Sequence, residues 1–302
     1  MHRDRVKGRR PSFQRAVQLA CAALFNGYAA GFGKGRIFTG PTKMVCVPVL
    51  NCYSCPGALG ACPVGALQTA LGARHHIPFY VLGTLMLFGV ALGRAVCGLM
   101  CPFGLVQDLL HKIPVPKRKV PGRIDRPARY VKYGVLALLV AGLPALLGAG
   151  GGVADPLFCK YLCPAGTLEG GIPLLLANPS LRQAAGLLFG WKTLVLITVL
   201  ALSTAVHRPF CKYLCPLGAF YALFNRFSFY QLCLDGDKCV RCGRCEQACP
   251  MDVEVTKNIR SPECIRCGKC RAVCPTGAIS SGFARSGDTA GAREPRRPGQ
   301  NS

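Results

Sequence analysis

The 302-residue sequence predicts an all-α polytopic membrane bundle joined to a small, cysteine-dense α+β domain near its C-terminal end. Three observations predict it. Hydrophobic residues make up 51% and charged residues only 17%, mean hydropathy is +0.31, and the apolar residues gather in four long runs. Twenty cysteines fall in short-spaced groups rather than in the frame of a small secreted disulfide domain, which points to metal or cluster ligation. The stretch FCKYLCPAG from Phe158 returns as FCKYLCPLG from Phe210, so the apolar region carries an internal repeat.

In chain order, residues 1–15 are a basic flank with Arg3, Arg5, Lys7, Arg9, Arg10 and Arg15. The membrane unit is expected over 16–232, with spans at 16–32, 77–96, 133–153 and 187–206; each approaches the roughly 20 apolar residues a bilayer core requires. The first is short and carries Asn26; the third contains Pro144, which membrane helices tolerate. Lys192 near one end of the fourth can snorkel to the interface. The loop after the second span holds Lys112, Lys117, Arg118, Lys119, Arg123, Arg126, Arg129 and Lys132, against Lys34, Arg36, Lys43 and Arg74 in one neighbouring loop and Lys160 and Arg182 in the other. The positive-inside rule therefore predicts a multi-pass cytoplasmic-membrane protein with both termini in the cytoplasm. A polar, cysteine-dense unit follows at 233–282, then a disordered tail at 283–302 that is almost free of apolar residues.

The membrane unit divides into two halves, about 16–112 and 130–224, with one plan: a span outward, a cysteine loop, a span inward, then Cys-x-x-x-Cys-Pro-x-Gly. The outer copies are ACPVGALQ and CKYLCPAGTLE; the inner ones are CGLMCPFGLVQ and CKYLCPLGAFY. This is a parallel repeat about an axis along the membrane normal, which brings Cys97 and Cys101 opposite Cys211 and Cys215 as an inner ligand set. Cysteines four apart share a helical face, and the proline after the second is expected to break the turn and release the chain into a loop. Buried cysteines acting as small hydrophobes are the alternative for such pairs, and that reading is kept for Cys21 and Cys233.

The most specific pattern lies in 233–282. Cys239, Cys242, Cys245 and Cys249-Pro250 form C-x2-C-x2-C-x3-C-P, and Cys264, Cys267, Cys270 and Cys274-Pro275 repeat it. This is the run of bacterial two-cluster ferredoxins, whose fourth cysteine serves the other cluster. One [4Fe-4S] cluster is thus expected on Cys239, Cys242, Cys245 and Cys274, the other on Cys264, Cys267, Cys270 and Cys249. Structural zinc, which pairs two short knuckles instead of running three cysteines in series, is disfavoured.

The outer loop CVPVLNCYSCPGALGACPVGALQ adds Cys46, Cys52, Cys55 and Cys62 to Cys159 and Cys163, six thiols for one or two sites. Two arrangements stay open: Cys62 joins Cys159 and Cys163, or the four loop cysteines bind a cluster and leave Cys159 and Cys163 as a redox pair. The membrane unit is therefore expected to hold one or two further [4Fe-4S] clusters. The loop's Gly- and Pro-rich but apolar character suggests that it dips into the bundle. His75, His76, His111 and His207 stand at span ends, but no Cys-x-x-Cys-His occurs and haem is disfavoured. No Walker or dinucleotide motif is present. The formal net charge of +24 finds no interleaved aromatic pattern, so nucleic acid is excluded as a partner and basic loop residues beside a membrane account for it.

Membrane Cys-x-x-x-Cys-Pro motifs joined to a C-terminal two-cluster ferredoxin resemble the membrane polyferredoxins of the NapH/NosR type, which serve periplasmic nitrate reduction and nitrous oxide reductase maturation. NCYSCPGALGACP and CKYLCPAGTLEGGIP are similar to stretches of uncharacterised 4Fe-4S binding proteins of anaerobes, and the likeness runs over about 18–280. It implies relay of single electrons between a cytoplasmic donor or acceptor protein and a site in or across the membrane, with an external or membrane partner subunit or a quinone as further carriers. The rival expectations are a transmembrane thiol or metal-ion reductase with Cys52 and Cys55 as its external dithiol, and an iron–sulfur maturation or regulatory protein. A hydrocarbon core of about 30 Å is wide for tunnelling, so the inner and outer sites should be drawn close together.

Overall fold

The computed structural model describes residues 11–73, 78–149, 154–183 and 185–283. The N-terminal residues 1–10, His75, His76 and the tail beyond 283 lie outside the described residues.

The cysteine motifs build the fold as much as they decorate it. Cys62, Cys101 and Cys215 each cap a helix, Pro63–Gly72, Pro102–Leu110 and Pro216–Phe224, with the proline as its first residue. Pro164 likewise opens the helical run through 177. The expectation that proline releases the chain into a loop is therefore reversed. Proline's fixed φ suits the first helical position, where its missing N–H has no partner to lose. The first cysteine of each pair sits on a one-turn helix just before: Ala95–Leu99, Leu157–Tyr161 or Pro209–Tyr213.

Two helices are long and apolar enough to cross a bilayer by length and composition, 122–149 with 28 residues and Leu187–Ala205 with 19, both at mean hydropathy 1.8. Only 28% and 17% of their apolar windows are buried inside the protein, so most of that surface, including Leu138, Leu146 and Ile197, faces outward. The other two expected spans are shorter: Pro11–Phe25 has 15 residues and Phe79–Leu92 has 14. At 1.5 Å per residue they reach only about 21–23 Å. Two helical runs of the second half, 122–149 and 164–177, loosen into π-helical turns, Val135–Gly142 and Gly166–Gly171, shortly before Pro144 and Pro173. A proline ring clashes with the carbonyl four residues back, and a wider turn relieves the clash.

One contiguous core joins the two halves, with Val49, Leu50, Phe103, Phe158, Phe210 and Tyr221 packed among the buried cysteines. The loop 45–62 is part of it. Val49, Asn51 and Ala58 are fully buried, the Val47 and Ala61 amides bond Ala61 O and Val45 O, and Asn51 Nδ2 donates to Phe25 O at 3.4 Å. The C-terminal unit is a two-stranded antiparallel sheet, Tyr230–Leu234 on Ile279–Phe283, with the one-turn helices Arg244–Gln247 and Lys269–Ala272 between its strands.

Candidate cluster-binding centres

Eight cysteines of the C-terminal unit line two cavities. One is bounded by Cys249, Cys264, Cys267 and Cys270 with Met251, Val253 and Ile265. The other is bounded by Cys239, Cys242, Cys245 and Cys274 with Leu234 and Ile279. In each, three thiols come from one motif and the fourth from its repeat.

Four more cysteines converge in the membrane unit. Cys97, Cys101, Cys211 and Cys215 are all buried, and Cys215 lies within coulombic reach of the other three. The helix-capping sulfur of Cys215 accepts from the backbone of its own helix, Gly218 N–H donating to Cys215 Sγ at 3.4 Å. A thiolate there also meets the positive end of the helix dipole. Gln107 Nε2 donates to Cys211 Sγ at 3.2 Å. Two fully buried arginines cross between the halves, Arg94 Nη2 to Cys211 O at 3.2 Å and Arg208 Nη1 to Cys97 O at 2.6 Å.

The outer site repeats this chemistry. Cys163 has Cys159, Cys52 and Cys62 within coulombic reach. Gly166 N–H donates to Cys163 Sγ at 3.4 Å, and Gln68 Nε2 donates to Cys159 Sγ at 3.3 Å. A Cβ on Gly166 would lie 3.7 Å from the sulfurs of both Cys163 and Cys52, in the space between them. The structure therefore brings Cys52 to Cys62, Cys159 and Cys163. Cys55 is turned away to Asn26 Oδ1 at 3.5 Å, and Cys46 reaches only Cys62 of this set. Burial pushes the Cys52 and Cys159 thiols up to about 12, so binding of iron would have to displace their protons. The Glu169 carboxyl, which accepts from Cys52 N–H at 2.8 Å, is raised by burial to about 7.

Sequence reasoning missed six residues around these thiols, although the repeat carried their signal. The sixth position after each motif's Cys-Pro cysteine is Gln68, Gln107, Glu169 or Tyr221, and the third position before the two inner motifs is Arg94 or Arg208. Tyr221 is fully buried, within coulombic reach of Cys97 and Cys101 of the inner set and of Cys46 and Cys62 of the outer loop, and its hydroxyl donates to Pro48 O at 2.8 Å. One buried phenol is thus a common neighbour of thiols from both sets.

The C-terminal unit is clamped to the inner site by its Cys249–Cys270 side. Glu263, next to Cys264, pairs with Arg94 at 2.8 Å and with the fully buried Lys132. Lys212, next to Cys211, pairs with Asp252 at 3.0 Å, and Asn225 Nδ2 donates to Cys264 O at 3.0 Å. At Gly98, next to Cys97, a Cβ would stand 2.2 Å from Ile265 O. At the other cavity Cys242 is exposed. His111 and His207 meet edge to face at 5.2 Å, and His207 Nε2 lies 3.1 Å from Asp108.

These sites suit iron–sulfur clusters by their donors: four thiols each, apolar walls, and N–H groups aimed at sulfur. Among the described residues no three His, Cys, Asp or Glu groups are placed to hold a single metal ion. Thiols at the corners of a four-iron cube stand further apart than thiols around one ion.

Comparison with known proteins agrees. A family model described as a 4Fe-4S binding domain matches residues 75–121, 135–175 and 188–230, and one described as a 4Fe-4S dicluster domain matches 231–275. The chain is similar to an uncharacterized protein of Methanocaldococcus jannaschii, 32% identical over 210 residues, which are 67% of this chain and 78% of that protein. It is also similar to the methylamine utilization ferredoxin-type protein MauN of Paracoccus denitrificans, 30% identical over 244 residues, 78% of this chain and 74% of that one. The ferredoxin-type protein NapH of Haemophilus influenzae is 27% identical over 244 residues, 79% and 74% of the two chains. No solved structure matches.

Proposed function

Because the chain belongs to the NapH/NosR type of polyferredoxins, iron–sulfur proteins of electron transfer, we propose that it conducts single electrons along a row of four [4Fe-4S] sites. The row begins at Cys239, Cys242, Cys245 and Cys274, which open to the cytoplasm and to a soluble redox partner. It continues through Cys249, Cys264, Cys267 and Cys270 to the inner set, Cys97, Cys101, Cys211 and Cys215. It ends at the outer set, Cys52, Cys62, Cys159 and Cys163, where a membrane or external carrier exchanges the electron. Each bound cluster supplies a one-electron couple. The protein supplies order and spacing: Glu263, Asp252 and Asn225 fix the ferredoxin unit on the inner site, and Tyr221 with the buried loop 45–62 holds the outer thiols close to the inner ones. The placement of Cys52 among Cys62, Cys159 and Cys163, with Cys55 turned to Asn26, supports a ligand role for Cys52 over a Cys52–Cys55 dithiol.

Four crossing segments are proposed, with both termini cytoplasmic. The outward-facing apolar surfaces of 122–149 and Leu187–Ala205 support two of them. Pro11–Phe25 and Phe79–Leu92 would complete the bundle as shorter crossings, with the cysteine loops re-entering it.

The single observation that carries this reading is the convergence of Cys97, Cys101, Cys211 and Cys215 from two repeat halves. Anoxic iron and sulfide counts with paramagnetic resonance test it on the wild type and a Cys97→Ser/Cys211→Ser variant. Loss of one cubane's iron is expected; an unchanged count would overturn the inner site.

A further inference from the structure

We infer that Arg94 and Arg208 hold the inner site at a higher reduction potential than the outer one, so that an electron shared by the two rests on the inner side. This rests on reading both as cluster sites. The transfer is one electron from the outer couple to the inner; no bond or proton moves.

The two sites share part of their hydrogen-bond donors. Each has a glutamine amide on one sulfur, Gln107 on Cys211 and Gln68 on Cys159, and a glycine N–H on one helix-capping sulfur, Gly218 on Cys215 and Gly166 on Cys163. The outer sulfurs add neutral backbone donors, from Ser54 to Cys52 and from Asn51 and Val64 to Cys62, whereas the inner Cys97 adds the charged Arg94. Cluster potential follows net charge and hydrogen bonds to sulfur, and it is the buried charge that sets the inner site apart. At the inner site each arginine stands three residues before its own cysteine and grips the backbone of the other half's cysteine. Both side chains are fully buried, where charge acts through a low dielectric. Glycines admit them: a Cβ on Gly104 would lie 3.1 Å from the Arg208 guanidinium, and one on Gly218 would lie 3.5 Å from Arg94 Nη2.

The carboxylates that pair these arginines are placed so that the cations remain next to the thiols. Asp108 takes the Nε and Nη2 edge of Arg208 and leaves Nη1 on Cys97 O. Glu263 takes Nη1 of Arg94 and is shared with Lys132, while Arg94 Nε is buried without a hydrogen-bond partner and the guanidinium lies against the Cys97 thiol. Among the described residues the outer site has no such pair of arginines. Three residues before Cys159 stands Pro156, and three before Cys52 stands Val49. Glu169 is within coulombic reach of Cys52 and Cys62, Lys192 of Cys159, and Lys43, whose ammonium binds Ala58 O at 2.8 Å, of Cys52 and Cys55. An added electron is therefore better compensated on the inner side.

The test is a potentiometric titration of the purified full-length protein under anoxia, read by paramagnetic resonance, with the inner signal identified by its loss in Cys97→Ser/Cys211→Ser. Wild type should reduce its inner site at a higher potential than its outer site. Arg94→Gln should lower the inner midpoint and Asp108→Asn should raise it, while Arg208→Lys keeps it near wild type and the outer midpoint stays put in all three. Iron and sulfide counts on the same samples establish that the site is assembled; should Arg94→Gln lose iron, the upward shift in Asp108→Asn decides alone. An inner midpoint at or below the outer one, or an unmoved or lowered midpoint in Asp108→Asn with full iron, overturns the proposal. If Cys97→Ser/Cys211→Ser loses no iron, the cluster reading itself fails and takes this one with it.

Discussion

In the membrane unit the cysteine ahead of a proline at positions 62, 101 and 215 is a helix cap, and at Cys215 the sulfur takes the place usually held by a Ser or Asp oxygen. That one substitution of atom accounts for the motif: proline starts the helix, glycine donates its N–H, and the sulfur is left at the positive helix end facing its counterpart from the other half. The spacing made the inner four and the ferredoxin eight legible as candidates. It did not distinguish Cys46, Cys52 and Cys55, because all three lie in one irregular loop whose path is decided by burial against Phe25, Asn26 and Tyr221 and not by local periodicity. Cys52→Ser should therefore lose one cubane's iron and its resonance signal, whereas Cys55→Ser should keep both; equal iron in the two variants would remove Cys52 from the site. Arg94 and Arg208 were hidden for another reason. A basic residue at a span end reads as a topology signal, and only the fold shows that these two turn inward. Arg208 also holds a left-handed backbone, at φ 47°, which costs about 1–2 kcal/mol in a non-glycine residue and persists where the surroundings fix it. Replacing Arg94 with methionine should destabilise the protein by about 3–5 kcal/mol, since Glu263 and Lys132 would remain buried with their balance broken; an unchanged denaturation midpoint would show that the pair is dispensable to the fold.

Helices were legible where hydrophobicity was uniform and long, as in Leu187–Ala205, and less so where prolines and glycines interrupt it. The third expected span proves to be the C-terminal part of a 28-residue helix that begins among cytoplasmic-type charges at 122, because Pro127 and Pro144 are absorbed by turns and a π-helical segment instead of ending it. The first and second expected spans come out short because the chain leaves the helix at Asn26 and Gly93 to build the cysteine loops. Contact between elements is close where the one-turn helix Ala95–Leu99 meets the ferredoxin loop at Ile265. Only a residue without a Cβ fits there, since the added carbon would stand 2.2 Å from a backbone oxygen. Gly98→Ala should thus pry the ferredoxin unit from the inner site without touching a ligand. Iron content should stay at the wild-type level while reduction of the inner site by a cytoplasmic-side donor slows at least tenfold, as stopped-flow absorbance would record. Unaltered kinetics would mean that the ferredoxin unit does not feed this site through that contact.

At the scale of the molecule, an internal repeat supplies two sites of one design, and the chain then breaks the symmetry to connect them. Where three copies of the sixth position carry an amide or carboxylate that serves a cysteine, the fourth carries Tyr221, which is within reach of thiols of both sets and whose hydroxyl ties down Pro48 of the outer loop. Such an arrangement addresses the thickness of a bilayer: about 30 Å of hydrocarbon is narrowed from both faces by protein that carries its own thiols inward. On the proposed reading the two membrane clusters share Tyr221 as a common neighbour and are expected to perturb each other. The fully reduced protein is therefore expected to show broadened, spin-coupled signals from its two membrane sites, and Cys97→Ser/Cys211→Ser should collapse the outer signal to that of an isolated cluster. Tyr221→Phe should preserve the coupling, because the ring still spaces the sites. Tyr221→Ala, which removes a buried aromatic and costs about 3–5 kcal/mol, should weaken it as the loop shifts. Uncoupled wild-type spectra would place the two sites too far apart for direct exchange and would require a mobile carrier, such as a quinone, between them.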